Sequence, residues 1–197
     1  MLCLGQAQAQ FVINKKMYVA RAADSLDIDY YSRRSIWKAG AQVVGLNLGV
    51  WGFNRFVADA EFAKISFNTM KTNVKHGFVW DNDQIGTNMF LHPYHGGLYY
   101  TSARSQGFNF WESGMFAFGG SLMWELFMEN EYPSINDIIA TPLGGLAVGE
   151  TLFRASDLVL DDRLRGRRRF GSELAGLLIS PTRGLTRLIN GDAWKVR

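Results

Sequence analysis

Apolar positions recur along this chain at spacings that suit helices, and glycine far more than proline interrupts them. From Arg34 to about Ala60 the sequence carries Ile36, Trp37, Ala39, Val43, Val44, Leu46, Leu48, Val50, Trp51, Phe53, Phe56 and Val57. That pattern is too continuous for one narrow stripe and predicts a helix buried on much of its surface. A shorter helix is expected over Ala63 to Lys75, closed by His76-Gly77. Trp80-Asp-Asn-Asp83 reads as a turn in which Asp81 or Asp83 caps the next helix. That helix should run from about Gln84 to Ser105, interrupted at Pro93, because a proline disfavours helical geometry at the residue before it. Another is expected over Phe110 to Asn130, and a long one from Pro133-Ser134 towards Leu160 with a bend at Pro142. Arg163 to Arg169 reads as a basic connector, followed by short helices over Ser172–Ile179 and Pro181–Ile189. The fold class is all-α, a compact bundle of about five to seven helices with glycine-rich close packing.

Two windows test membrane spanning. Gly107–Met128 carries Glu112 and Glu125, and Ile135–Ala155 carries Asp137, Glu150 and Arg154. A spanning helix needs about 20 mostly uncharged apolar residues. A central carboxylate costs roughly 2.5–3.5 kcal/mol, and the mean hydropathy is only −0.07. Neither window reads as an ordinary span, although helices lying against a membrane partner stay compatible with it.

Composition narrows the class. At 197 residues, 47% hydrophobic, 14% aromatic and 20% charged, the chain can bury a core and is not a disordered polymer. With 21 glycines against 4 prolines, close backbone approach between packed elements is expected. Ala7-Gln8-Ala9 has the small-x-small form of a signal-peptidase site, so residues 1–9 are read as a signal-peptide remnant. An extended segment (10–33), a helical domain (34–160) and a basic extension with short helices (161–197) follow. Cys3 is the single cysteine and would leave with the signal. The remaining chain then has no disulfide, thiolate metal site or thiol nucleophile.

Charge is uneven: Arg154 to Arg197 holds ten basic and five acidic residues, a net +5. In an exported protein, Arg163, Arg165, Arg167, Arg168 and Arg169 would meet anionic lipid rather than nucleic acid, unless they form a solvated face.

Three runs could carry chemistry. In the first, Asn88, His92, His95 and Tyr99 share one side if a single helix runs through Pro93; if a new helix starts at Pro93, His95 and Tyr99 still share a face and His92 sits at the junction. Such a pair of histidines can be a general base or metal ligands, or can be hydrogen-bonded at a helix junction. In the second, Gly114, Phe118, Ser121, Glu125 and Glu129 form an interface stripe that points Glu125 into protein. A buried carboxylate needs a partner, and His95, His92 and Arg104 are the candidates. In the third, Ser134 fits an N-cap with Asp137 three residues on. Gly145 and Gly149 leave a groove for a neighbouring helix, and Glu150 pairs with Arg154 at i,i+4. No HExxH spacing, nucleophile elbow, phosphate loop or dinucleotide fingerprint occurs, so no metal or cofactor is assigned.

Together, Trp80-Asp81-x-Asp83, Asn88, His92-Pro-Tyr-His95-Gly, Tyr99, Ala103-Arg104, Gly107, Trp111, Ser121, Trp124-Glu125, Glu129, Pro133-Ser134-x-x-Asp137, Gly144-Gly145 and Gly149-Glu150 resemble the bacterial domain-of-unknown-function family 3943, over about residues 60 to 160. The resemblance implies an exported protein of a Gram-negative envelope, often followed by an outer-membrane barrel-like region, and no established activity. A looser likeness is to VanZ-like membrane proteins, with a His on one helix and a later Glu…Asp…Gly-Gly order. The expectation is a structural or docking module of the outer membrane or periplasm with a buried polar cluster. Its catalytic candidates are His92, His95, Glu125 and Asp137; Arg104, Asn88, Tyr99, Glu129 and Glu150 are ligand-binding candidates. The alternative is a lipid-modifying hydrolase or a lipid or small-ligand binding protein using the same cluster.

Overall fold

The computed structural model describes residues 34–82 and 84–195. The expected signal remnant, the extended segment 10–33 and the Asp83 cap lie outside them. Among the described residues the protein has seven α-helices and no strand beyond one isolated bridge, Val79 to Ser134. The helices are α1 (Ile36–Phe56), α2 (Phe67–His76), α3 (His92–Arg104), α4 (Phe110–Phe127), α5 (Ile135–Val159), α6 (Gly166–Ile179) and α7 (Pro181–Asn190).

Local chemistry sets most boundaries. Ser35 caps α1 by accepting from Lys38 N–H, and Ser66 and Thr69 form a reciprocal capping box on α2. Asn109 and Glu112 do the same for α4, and Ser134 caps α5 by accepting from Asp137 N–H. The π-helical turn over Thr87–Leu91 has no side-chain cap, and the Asp81 carboxylate accepts from Asn136, at 2.5 Å.

Pro93 does not break the chain. A π-helical turn over Thr87–Leu91 feeds directly into α3, and His92 stays helical at φ −61, ψ −49. The widened turn shifts the hydrogen-bond register ahead of the proline, which sits in the first turn of α3, where its missing N–H costs little. The helix α5 likewise continues through Pro142.

The centre is the crossing of α3 with α5, with α4 packed on both. Glycine permits it: a Cβ on Gly145 would stand 2.5 Å from the backbone carbon of Gly96, and one on Gly96 would stand 1.8 Å from Thr141 O. The close approach expected of Gly145 and Gly149 therefore occurs, and α3 is the helix that fills it.

The bundle buries polar groups and exposes apolar ones to an unusual degree. Its buried apolar clusters are small: Val43, Tyr99, Tyr100 and Ala117 in one, Ala39, Ala103 and Phe108 in another. Glu125, Asp137, Arg104, Asn47, Asn73, Arg169, Arg183 and Arg187 are all buried. The expectation that α1 is buried over much of its surface is wrong. Only Ala39, Val43 and Asn47 are buried, while Trp37 is 85% exposed and Phe56 74%. Apolar residues surround this helix, but one stripe alone meets the bundle. Its glycines, such as Gly45 and Gly49, face open space rather than a neighbour. Phe118 of the α4 stripe is also exposed, whereas Ser121 and Glu125 beside it are buried. No helix is long and apolar enough to cross a membrane among the described residues.

Towards the C-terminus, Arg167 to Arg169 form the first turn of α6 rather than a connector. Gly166, at φ +56, makes the turn into it. Hydrogen bonds tie α7 to α3 and α1: Thr182 Oγ1 lies 2.5 Å from Thr101 Oγ1, and Gln42 Nε2 donates to Thr186 Oγ1 at 2.8 Å.

Candidate functional site

The polar side chains on α3, α4 and α5 gather inside the bundle, but as separate groups along its axis. At the end near the start of α5, His92 Nε2 lies 3.3 Å from Asp137 Oδ1, and His92 Nδ1 lies 3.0 Å from Thr141 Oγ1. Asn136 Nδ2 donates to Asp81 Oδ1 and, at 3.2 Å, to Asp137 Oδ1; Asn88 Oδ1 is 3.5 Å away. The N-cap thus explains the backbone at Asp137 but not its carboxylate, which faces His92. Asp137 is 5% exposed and the His92 side chain 15%.

Glu125 forms a second group. None of its expected partners holds it: its Oε2 accepts from Ser134 N–H at 2.8 Å. A carboxylate from α4 thereby takes the place that a Glu at the third position of α5 would fill in a capping box. Burial, opposed by that hydrogen bond and reinforced by Asp137, raises the Glu125 carboxyl above the usual range. Burial, with Glu125 close by, raises Glu129 further. The pair therefore keeps a proton to a higher pH than ordinary carboxyls do. Asn73 Nδ2 from α2 covers the carbonyls here, donating to Glu129 O at 3.1 Å.

His95 packs into the aromatic core. Its ring centroid is 4.5 Å from that of Tyr99 and 5.3 Å from that of Trp124. Burial first, then the nearby His92, lowers its pKa to about 4, so the imidazole is neutral near pH 7. Its Nε2 is buried without a hydrogen-bond partner among the described residues. Tyr99 donates its hydroxyl to Asn47 Oδ1, and burial followed by the Glu125 charge holds that phenol well above its ordinary range.

The third group lies at the far end of α3, about 18 Å from His92 by helical rise. Arg104 Nε donates to Glu150 Oε2 at 2.9 Å, and its Nη1 donates to Phe108 O at 3.1 Å. Tyr100 Oη donates to the same Glu150 oxygen at 2.7 Å, while Arg154 takes Oε1. Glu150 is therefore more than a surface pair with Arg154. Burial pushes its carboxyl up, but hydrogen bonds from Arg104, Tyr100 and Arg154 outweigh it and hold the pKa below the usual value.

A fourth group, invisible in the sequence reading, joins α6 and α7. Arg187 grips Glu173 with two bonds, at 2.9 and 2.8 Å, and reaches Asp162 at 2.5 Å. Arg169 meets the same two acids at 3.0 and 2.9 Å and donates to the carbonyls of Asp161, Asp192 and Ala193. Arg169 thus leaves the expected basic surface for the interior, and Arg163 pairs with Asp161. The i,i+4 spacing Arg169–Glu173 was the available signal. Among the described residues, no group of three or more His, Cys, Asp or Glu side chains is placed to hold a metal ion.

Fold and interior together define an all-α bundle whose core is a set of paired, buried polar groups. The chain belongs to the family described as Domain of unknown function (DUF3943), whose profile matches residues 77–182. That match starts later than the expected resemblance and runs through α6 to Thr182 at the start of α7. The looser likeness to VanZ-like proteins finds no support. No curated protein and no solved structure matches the chain.

Proposed function

We propose that this domain is a structural docking module of the Gram-negative envelope, seated with its apolar exterior against membrane lipid or an outer-membrane barrel partner. The observation that carries the reading is the inverted distribution of polarity. Charged pairs fill the interior, while Trp37, Phe56, Trp111, Met115, Leu143 and Leu158 stand outside at 62–85% exposure. Along α4, Trp111, Met115 and Phe118 make a helical stripe on the outer face. Large exposed apolar patches mark interaction or membrane surfaces.

The same interior argues against turnover as the main role. Glu125 holds the start of α5, Glu150 neutralises Arg104, and Asp137 is engaged by His92 and Asn136. Each carboxylate has a structural task. The lipid-modifying alternative draws on one feature, the neutral, buried His95, whose Nε2 has no hydrogen-bond partner among the described residues.

Flotation tests the docking reading. The chain should float with vesicles made from Gram-negative envelope lipids, and Trp111→Glu with Met115→Glu should leave it in the aqueous fraction with its melting temperature little changed. Native chain that stays in the aqueous fraction and runs as a monomer would refute membrane docking.

A further inference from the structure

Between α6 and α7 the surface opens into a groove of about 640 Å³, within the size range of small-ligand sites. Phe170, Leu174, Leu177, Leu188 and Trp194 line it. Two of its charged lining residues, Arg169 and Glu173, pair with each other, and outside the lining Arg169 also meets Asp162 and Glu173 meets Arg187. Its end is not balanced. Arg165 lines the groove, is exposed, and makes no ion pair among the described residues. Arg167 and Arg168 follow it in the first turn of α6, equally exposed and unpaired among those residues, and no acidic residue accompanies them there. An apolar trough ending in uncompensated cations complements an amphiphile with a hydrocarbon chain and an anionic head.

We propose that this groove binds one anionic phospholipid, its acyl chain along Leu174, Leu177, Leu188 and Trp194 and its phosphate against Arg165, with the exposed Arg168 that follows in the first turn of α6 adding positive charge. The site deepens the docking reading above and rests on it for access to lipid, but adds a saturable pocket with a headgroup preference. A free phosphate would leave the apolar walls wet, and a neutral lipid would leave the arginines without a counter-charge.

The test uses the full chain and a short-chain phosphatidylglycerol below its micelle concentration, so that no bilayer is needed. Binding is read from Trp194 emission, isolated by difference against Trp194→Phe. The expected result is a saturable one-site shift. Phosphatidylcholine of the same chain length should bind at least about tenfold more weakly, as should the Arg165→Glu/Arg168→Glu variant with phosphatidylglycerol. Inorganic phosphate should leave Trp194 unmoved. Leu174→Gln, which alters the wall and not the charge, should also weaken binding, with the melting temperature of every variant confirming folding. No Trp194 response to phosphatidylglycerol, equal responses to both lipids, or an equal response to phosphate would overturn the site. Because flotation is measured separately, losing this pocket leaves the docking reading intact, and losing flotation leaves the pocket measurable.

Discussion

His95 shows how one buried side chain sets a pH limit on the fold. It titrates near 4 in the folded protein and near 6.5 when unfolded, so between those values the unfolded chain holds more protons. Its contribution is complete above about pH 6.5 and disappears as pH falls towards 4, a loss of about 3 kcal/mol. Replacing His95→Phe should flatten this acid limb in urea unfolding series, even if it changes stability at neutral pH. An unchanged acid limb would show that other groups cause it. The Glu125–Glu129 pair acts in the opposite sense. Its folded values lie above the usual carboxylate range, so its contribution is present at low pH and lost as pH rises through those folded values. Glu129→Gln keeps a donor to Glu125 without an ionisable proton. We expect it to be more stable than the native chain at about pH 8 by about 1 kcal/mol or more, with the gap closing near pH 5. A gap that does not vary with pH would sink the shared proton.

Among the elements, the α3–α5 crossing is the least forgiving. Backbone meets backbone at Gly96 and Gly145, so no side-chain rotation can make room for a methyl group. Gly145→Ala should cost about 1–3 kcal/mol or prevent folding, while Gly49→Ala on α1, where the Cβ meets nothing, should stabilise slightly through helix propensity. Chemical denaturation of both variants checks this, and equal effects would contradict the crossing. The contrast shows which parts of the fold were legible. The Ser134 cap and the Gly145/Gly149 spacing are local signals, and they placed the start of α5 and the face that α3 meets. Pro93 misled because a π-turn, which depends on how the following helix must point, absorbs it. The partners of Glu125 and Arg104 were hidden for a related reason. Each is chosen by the rotation of one helix against another, and Ser134 N–H is a backbone donor that residue identity does not advertise. The helix α1 was misread because apolar residues on every side look buried unless something shows which side has no neighbour.

At the scale of the whole molecule, Arg183 joins the Thr182–Thr101 and Thr186–Gln42 hydrogen bonds in tying α7 to the bundle. Arg183 from α7 donates to Phe153 O at 2.7 Å and Ser156 Oγ at 2.8 Å, pairs with Asp157, and lies over the Phe153 ring at 4.1 Å. It is 2% exposed, and Phe153 also receives Arg104 at 4.7 Å on its ring. One aromatic ring near the end of α5 therefore links the α3 and α7 cations. Removing Arg183 takes a donor from Phe153 O and from Ser156 Oγ, which keep their bond to each other, and leaves the part-exposed Asp157 carboxylate without this cation, at a cost of about 1–3 kcal/mol. Arg183→Met retains the stem packing while removing the donors. It should detach α6 and α7 first, so that amide exchange accelerates from Gly166 to Asn190 before it does across the glycine-packed α3 and α5. Exchange that accelerates equally in all helices would mean that the C-terminal helices and the central crossing unfold as one unit. Localised release would instead separate two kinds of cohesion in this fold, the backbone contact at its centre and the charge pairing that fastens its C-terminal helices. It would also leave the groove between α6 and α7 dependent on the weaker of the two.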